Sequence, residues 1–114
     1  MGMKTTTLAG GSVALLEPKG SLIGGDETDE LRAAVTDLFE QGNRKLVIDL
    51  SKVTYLNSTA IGVLVQAHTS YGKNGGVVKL CGINKNINNI FVVSKLTMVF
   101  DVSDTRDEAV SSFA

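Results

Sequence analysis

Few side chains in this chain can do chemistry. Its single histidine, His68, and single cysteine, Cys81, are the only candidates for a base and thiol nucleophile. Such a pair works when the histidine draws off the thiol proton and leaves a thiolate to attack. However, His68 falls on the apolar side of a helical pattern made by Ile61, Leu64, Val65 and Tyr71, where a ring is usually packed. Cys81 ends the run Val77-Val78-Lys79-Leu80-Cys81, where a free cysteine behaves as a small hydrophobe. Structural zinc takes about four Cys or His ligands, and this chain offers two candidates. The pairs Gly24-Gly25 and Gly75-Gly76 lack both the Lys-Ser/Thr that follows a phosphate loop and the G-x-G-x-x-G spacing of a dinucleotide site. With no tryptophan and two tyrosines, a platform for stacking bases is not indicated. The residues therefore point away from an enzyme, and no metal or cofactor is expected.

What remains is the tetrad Asn57-Ser58-Thr59-Ala60, polar residues directly before an apolar helical face. The simplest reading makes Asn57 or Ser58 the helix N-cap, a side-chain acceptor for otherwise unpaired backbone N–H groups. A second reading adds regulation. A serine at a helix N-terminus faces free N–H groups and the positive end of the dipole, so a phosphate is favoured there. Such a phosphate brings about −1.5 to −2 charges to the surface and would repel a partner docked over the turn. On this reading Ser58 is the acceptor. Thr59 is the alternative, its β-branched side chain more confined within the first turn.

The elements that must position this turn follow from pattern. Thr5-Thr6-Thr7-Leu8-Ala9 and Ser12-Val13-Ala14-Leu15-Leu16 flank Gly10-Gly11 and read as a hairpin. Pro18 and Gly20 are expected to close its second strand. Asp26 is placed to cap a helix with acidic residues Glu27, Asp29 and Glu30 in its first turn and Leu31, Ala34, Val35, Leu38 and Phe39 on one face. Gly42 ends that helix in the left-handed conformation. Lys45-Leu46-Val47-Ile48-Asp49-Leu50 reads as a central strand. The helix after the tetrad is expected to stop at Gly72, and Val77 to Cys81 to form a strand after Gly75-Gly76. Asn84 or Asn86 caps a short helix carrying Ile87, Ile90 and Phe91, Met98 to Val102 form a last strand, and Asp104 or Ser103 caps a last helix with Ala109, Val110 and Phe113.

Strands separated by helices pair in parallel. The expectation is an α/β layer structure: an N-terminal hairpin, then strand–helix units, in a mixed, mostly parallel sheet covered by about four helices. At 114 residues, 43% apolar and 20% charged, the chain is sized for one domain over residues 1–114 with its own core. Eleven basic against twelve acidic residues leave a formal charge of −1, without the basic stripe of a nucleic-acid binder. The N-terminal MGMKTTTLAGG has no apolar stretch of the signal-peptide kind, and no run approaches the roughly 20 apolar residues of a membrane span. A cytoplasmic protein, monomeric or weakly homodimeric, is expected.

The segment from Lys45 to Leu64 resembles the signature of STAS domains, in particular the bacterial anti-sigma factor antagonists. That pattern is an apolar strand, a turn like Asp49-Leu50-Ser51-Lys52-Val53, an Asp-Ser-Ser/Thr-Gly tetrad, and a helix opening like Ile61-Gly62-Val63-Leu64. Here the tetrad carries Asn57 for the aspartate and Ala60 for the glycine. Glu17 to Leu22 matches the family's "G.L" turn before the first helix, Ile23 stands where many antagonists have an aspartate, and Gly75-Gly76, Ile90-Phe91 and Lys95-Leu96 follow the family's order. The resemblance implies a binding protein that sequesters an anti-sigma factor, itself a serine/threonine kinase, and thereby regulates transcription by partner switching. It implies phosphorylation at Ser58, reversal by a PP2C-type phosphatase, and docking over Tyr55, Asn57, Ser58, Thr59, Ile61 and Gly62. Leu56 reads as ordinary packing. The rival is an unphosphorylated STAS scaffold subunit of a signalling or transport assembly; a ligand-binding domain, or an enzyme using Cys81 or His68, is a more distant one.

Overall fold

The computed structural model describes residues 4–8, 12–93, 95–96 and 99–113. Strands β1 (Lys4–Leu8) and β2 (Val13–Glu17) pair antiparallel, with Thr6 opposite Leu15, as the hairpin reading requires; its Gly10-Gly11 turn lies outside the described residues. Strands β4 (Lys45–Asp49), β6 (Val77–Cys81) and β7 (Asp101–Ser103) extend the same sheet in parallel, giving the order β1-β2-β4-β6-β7. The fold class is the one expected, α/β with a mixed sheet and four helices.

Side-chain alternation along these strands divides the core between two faces. Ala14, Leu16, Leu46, Ile48, Val78 and Leu80 pack under helices α1 (Asp26–Glu40), α2 (Ser58–Lys73) and α3 (Lys85–Val93). Val13, Leu15, Val47 and Cys81 face the other way, under Ala109 and Val110 of α4 (Arg106–Ser111) and Phe113 just beyond it. Leu31, Val35, Leu64 and Tyr71 bring α1 and α2 into the first layer, and the rings of Phe39 and Tyr71 meet at 5.3 Å.

A second, two-stranded sheet was not expected. Pro18 does end β2, since it has no N–H to donate, yet the chain stays extended as β3 (Lys19–Leu22), which pairs in parallel with β5 (Lys52–Leu56). Glu17 to Leu22 is thus the end of one strand and the whole of another, not a turn. Gly20, at φ +83°, bends β3 from within instead of closing β2.

Four boundaries also differ from expectation. Asp26 is the first residue of α1, while Gly25 is the N-cap and offers no side-chain bond. Gly72 lies inside α2, which runs to Lys73 with Asn74 as C-cap and Gly75, at φ +78°, just beyond. The last strand begins at Asp101, with Val99 and Phe100 in the turn before it; Met98 lies outside the described residues. Thr105, and not Asp104 or Ser103, caps α4, accepting from the Glu108 N–H at 3.2 Å while its own N–H donates to Glu108 Oε1 at 3.3 Å. This reciprocal box satisfies two end groups at once, which a lone Asp104 cannot match. Elsewhere the caps fall as read. Asn84 Oδ1 accepts from the Ile87 N–H at 2.9 Å, and Gly42, at φ +99°, ends α1 with its N–H on the Phe39 carbonyl.

Candidate partner-docking site

The tetrad stands where β5 gives way to α2. Asn57 is the N-cap, its Oδ1 accepting from the Ala60 N–H at 3.1 Å. The Asn57 N–H donates to the Leu22 carbonyl at 3.0 Å, which ties the start of α2 to the end of β3. Ile61 N–H reaches the Asn57 carbonyl. The N–H groups of Ser58 and Thr59, at the first two helical positions, have no acceptor in the helix and none among the described residues. Unlike α1 and α4, α2 has no acidic residue in its own first turn to complement the positive end of its dipole.

Ser58 and Thr59 are both exposed. Thr59 lies against the loop before α1: a Cβ built on Gly24 would stand 3.5 Å from Thr59 Cγ2. Gly24 takes φ +91° there, and its N–H donates to the buried Thr28 Oγ1 at 2.9 Å, which fixes the loop.

Tyr55 is 48% exposed although strict alternation from buried Val53 would bury Tyr55 and expose Leu56, the reverse of what is found. The cause is a bulge: Gly20 pairs with Val53 but Ser21 pairs with Tyr55, leaving Thr54 extra on β5. The extra residue turns both Thr54 and Tyr55 outward, and the hydroxyls of Ser21 and Thr54 meet at 3.1 Å. Leu56 is buried, consistent with packing. Ile61 is half-buried at the edge of the core and Gly62 is exposed, with open space where a Cβ would be. The structure therefore brings Tyr55, Asn57, Ser58, Thr59, Ile61 and Gly62 to one end of α2. It adds Ile23, 57% exposed directly after Leu22, which the sequence marked only as a departure from a pattern.

The other reactive groups stay apart. His68 meets Phe100 edge-on at 5.3 Å in the layer of α1 to α3, whereas Cys81 is buried beneath α4. Burial, with Asp49 nearby, pushes the Cys81 thiol up to about 12, so it is neutral and held with the sheet between it and the histidine. Beside it Arg106 Nη2 donates to Glu17 Oε1 at 2.7 Å and Asp49 Oδ2 at 3.0 Å, a cluster with no local sequence signal. No described helix is long and apolar enough to cross a membrane.

The described residues form a small α/β domain with an exposed polar end centred on a helix-start serine, and His68 and Cys81 stand apart from it and from each other. The STAS domain model matches residues 7–109, and the chain belongs to the STAS domain family. It is 34% identical over 73 residues to the anti-sigma-B factor antagonist of Bacillus subtilis, covering 64% of this chain and 66% of that one. A Thermotoga maritima structure assigned to the anti-sigma factor antagonists matches with a TM-score of 0.88 at 22% identity, over 96% of this chain and 92% of that one. The Bacillus cell fate determinant SpoIIAA, in its phosphorylated form, matches with a TM-score of 0.77 at 13% identity, over 99% and 100% of the two chains. At these identities the two structures speak for the fold.

Proposed function

We propose that this protein is a cytoplasmic anti-sigma factor antagonist whose single STAS domain docks an anti-sigma factor serine/threonine kinase over the start of α2. Phosphorylation at Ser58 releases the kinase, and a PP2C-type phosphatase restores binding. The observation that carries this reading is the placement of Ser58: exposed, first in α2, beside two unpaired N–H groups, in a helix whose own first turn has no acidic residue. A phosphate on its Oγ gains the helix end electrostatically with little backbone movement. It also sets about −1.5 to −2 charges in the middle of the docking surface. Asn57, Thr59, Tyr55, Ile61 and Gly62 surround it as contacts, and Thr59, with its β-branched side chain in the first turn, is the second-choice acceptor. The domain itself catalyses nothing; the nucleotide belongs to the kinase.

The test is phosphopeptide mapping after incubation with ATP and lysate of the source cells, paired with kinase binding by Ser58→Ala and Ser58→Asp. Phosphate at Ser58, persistent binding by the alanine variant and weak binding by the aspartate variant are expected. No phosphate on Ser58 or Thr59, beside an active kinase control, would replace this reading with that of an unswitched scaffold subunit.

A further inference from the structure

We infer that the outer face of the β3–β5 ribbon recognises an acidic segment of the docking partner, with Lys19 and Lys52 as its charged end and Ile23 and Tyr55 as its apolar end. The partner's identity rests on the docking proposed above; the ribbon's preference for carboxylates does not. Lys19 and Lys52 are register partners in neighbouring parallel strands and both are exposed. Register partners point to the same face with backbones about 4.8 Å apart, and like charges placed so are destabilising. Neither ammonium group has an ion pair or hydrogen bond among the described residues. An opposed lysine pair with no countercharge is a local cost that a carboxylate-bearing partner relieves.

The ribbon leads from this pair to the tetrad. The hydroxyls of Ser21 and Thr54 join next, then the bulge turns Tyr55 outward beside the end of β3. From Lys52 to Asn57 is about 15 Å at strand rise, so a partner seated over Ser58 reaches the lysines with four or five extended residues. The first turn of α1, with Asp26, Glu27 and Asp29, follows Ile23 by three residues and repels the same segment, which directs its acidic end toward the lysines. Because the chain's formal charge is −1, any attraction of an anionic peptide is local to such a patch and not a property of the whole protein.

The charge-reversed variant Lys19→Glu/Lys52→Glu alters two exposed positions, and an unchanged melting temperature shows that it folds. Amide NMR signals of the wild type, titrated with a hexaglutamate peptide at low salt, should shift at Lys19, Ser21, Lys52, Thr54 and Tyr55. The shifts should vanish in the variant and at about 0.5 M salt, where charges are screened within a few ångströms. Shifts of equal size around Lys45, Lys73 and Lys85, no shifts at all, or an equal response to hexathymidylate would each overturn the inference. With the kinase that phosphorylates Ser58, the variant should associate about tenfold or more slowly; an unchanged rate would remove the ribbon from that interface. Should Ser58 take no phosphate in the wild type, the docking reading fails, and the peptide titration still decides the ribbon's preference.

Discussion

Arg106 Nη2 donates to Asp49 Oδ2 at 3.0 Å and so fastens α4 to the central strand across 57 positions of sequence. The same nitrogen holds Glu17 Oε1 on β2. Both carboxylates are buried, whereas the arginine side chain is 42% exposed. Removing it leaves two buried acceptors without their donor. We expect Arg106→Met to lower stability by about 1–3 kcal/mol, below the loss seen for fully buried pairs because solvent reaches this one. Urea unfolding checks it; a loss under about 0.5 kcal/mol would place the cluster with ordinary surface pairs.

Acid should weaken the fold through the same cluster. Burial pushes the Asp49 carboxyl up, but the Ser51 N–H at 2.9 Å and the Arg106 guanidinium outweigh it, and the net shift is downward. A carboxyl lowered in the folded state contributes stability that is present above its unfolded value, about 3.9, and lost as pH falls through its folded value. The melting temperature should therefore drop below about pH 4. The drop should be shallower in Arg106→Met; an identical acid profile in both proteins would count against Asp49 as its source.

At the other end of the scale, burial pushes the Cys81 thiol and the Tyr71 phenol each up to about 12. Acids raised on folding contribute stability that is complete below their unfolded values and lost as pH climbs to the folded ones. Stability should therefore fall from about pH 8.5 upward, where an unfolded cysteine begins to ionise. A thiol reagent at pH 8 should label Cys81 only at the rate of opening, and prompt labelling of the native protein would contradict the burial.

The cap of α2 can be tested without touching Ser58. Asn57→Ala removes the acceptor for the Ala60 N–H and should cost about 1 kcal/mol. Asn57→Asp keeps an acceptor and adds a charge favourable to the helix dipole, so its stability should equal or exceed the wild type. Thermal melts of the three proteins order them; aspartate falling below asparagine would mean that the charge is opposed by something near the site.

Gly82 is held by close approach. At φ +69°, a Cβ there would meet Asp49 Oδ1 at 2.6 Å and Ser51 Cβ at 2.9 Å. Gly82→Ala should destabilise by about 2 kcal/mol or more, from backbone strain together with overlap, and should also shift the acid transition. A neutral result would show that the β6–α3 turn yields easily.

Much of this molecule is legible from residue pattern because its main elements carry complete local signals. Val77 to Cys81 follows its glycines and Asn84 stands at the right distance before Ile87. The tetrad was readable as a cap for the same reason. The ribbon was not. Gly20 inside β3 and Pro18 before it look like strand enders, and the bulge at Thr54 breaks the alternation that would have marked β5. Thr105 and Glu108 carry the capping-box spacing, but Asp104, a good cap in its own right, competes on the page and not in space. Exposure of Ile23 and the meeting of Arg106 with Glu17, 89 positions away, come from topology, which no window of sequence contains.

The division into two sheets has a consequence for how such a domain can change over time. Five strands and their helices carry most of the buried layers, to which the ribbon adds Leu22, Val53 and Leu56, while Ser21, Lys52, Thr54 and Tyr55 lie exposed on its outer face and Ile23 directly after it. Substitutions at these positions can accumulate with small effect on folding, since exposed sites seldom move stability by more than about 0.5 kcal/mol. Surface chemistry on the ribbon is therefore free to diverge between copies of such a domain while the five-stranded scaffold beneath it stays the same.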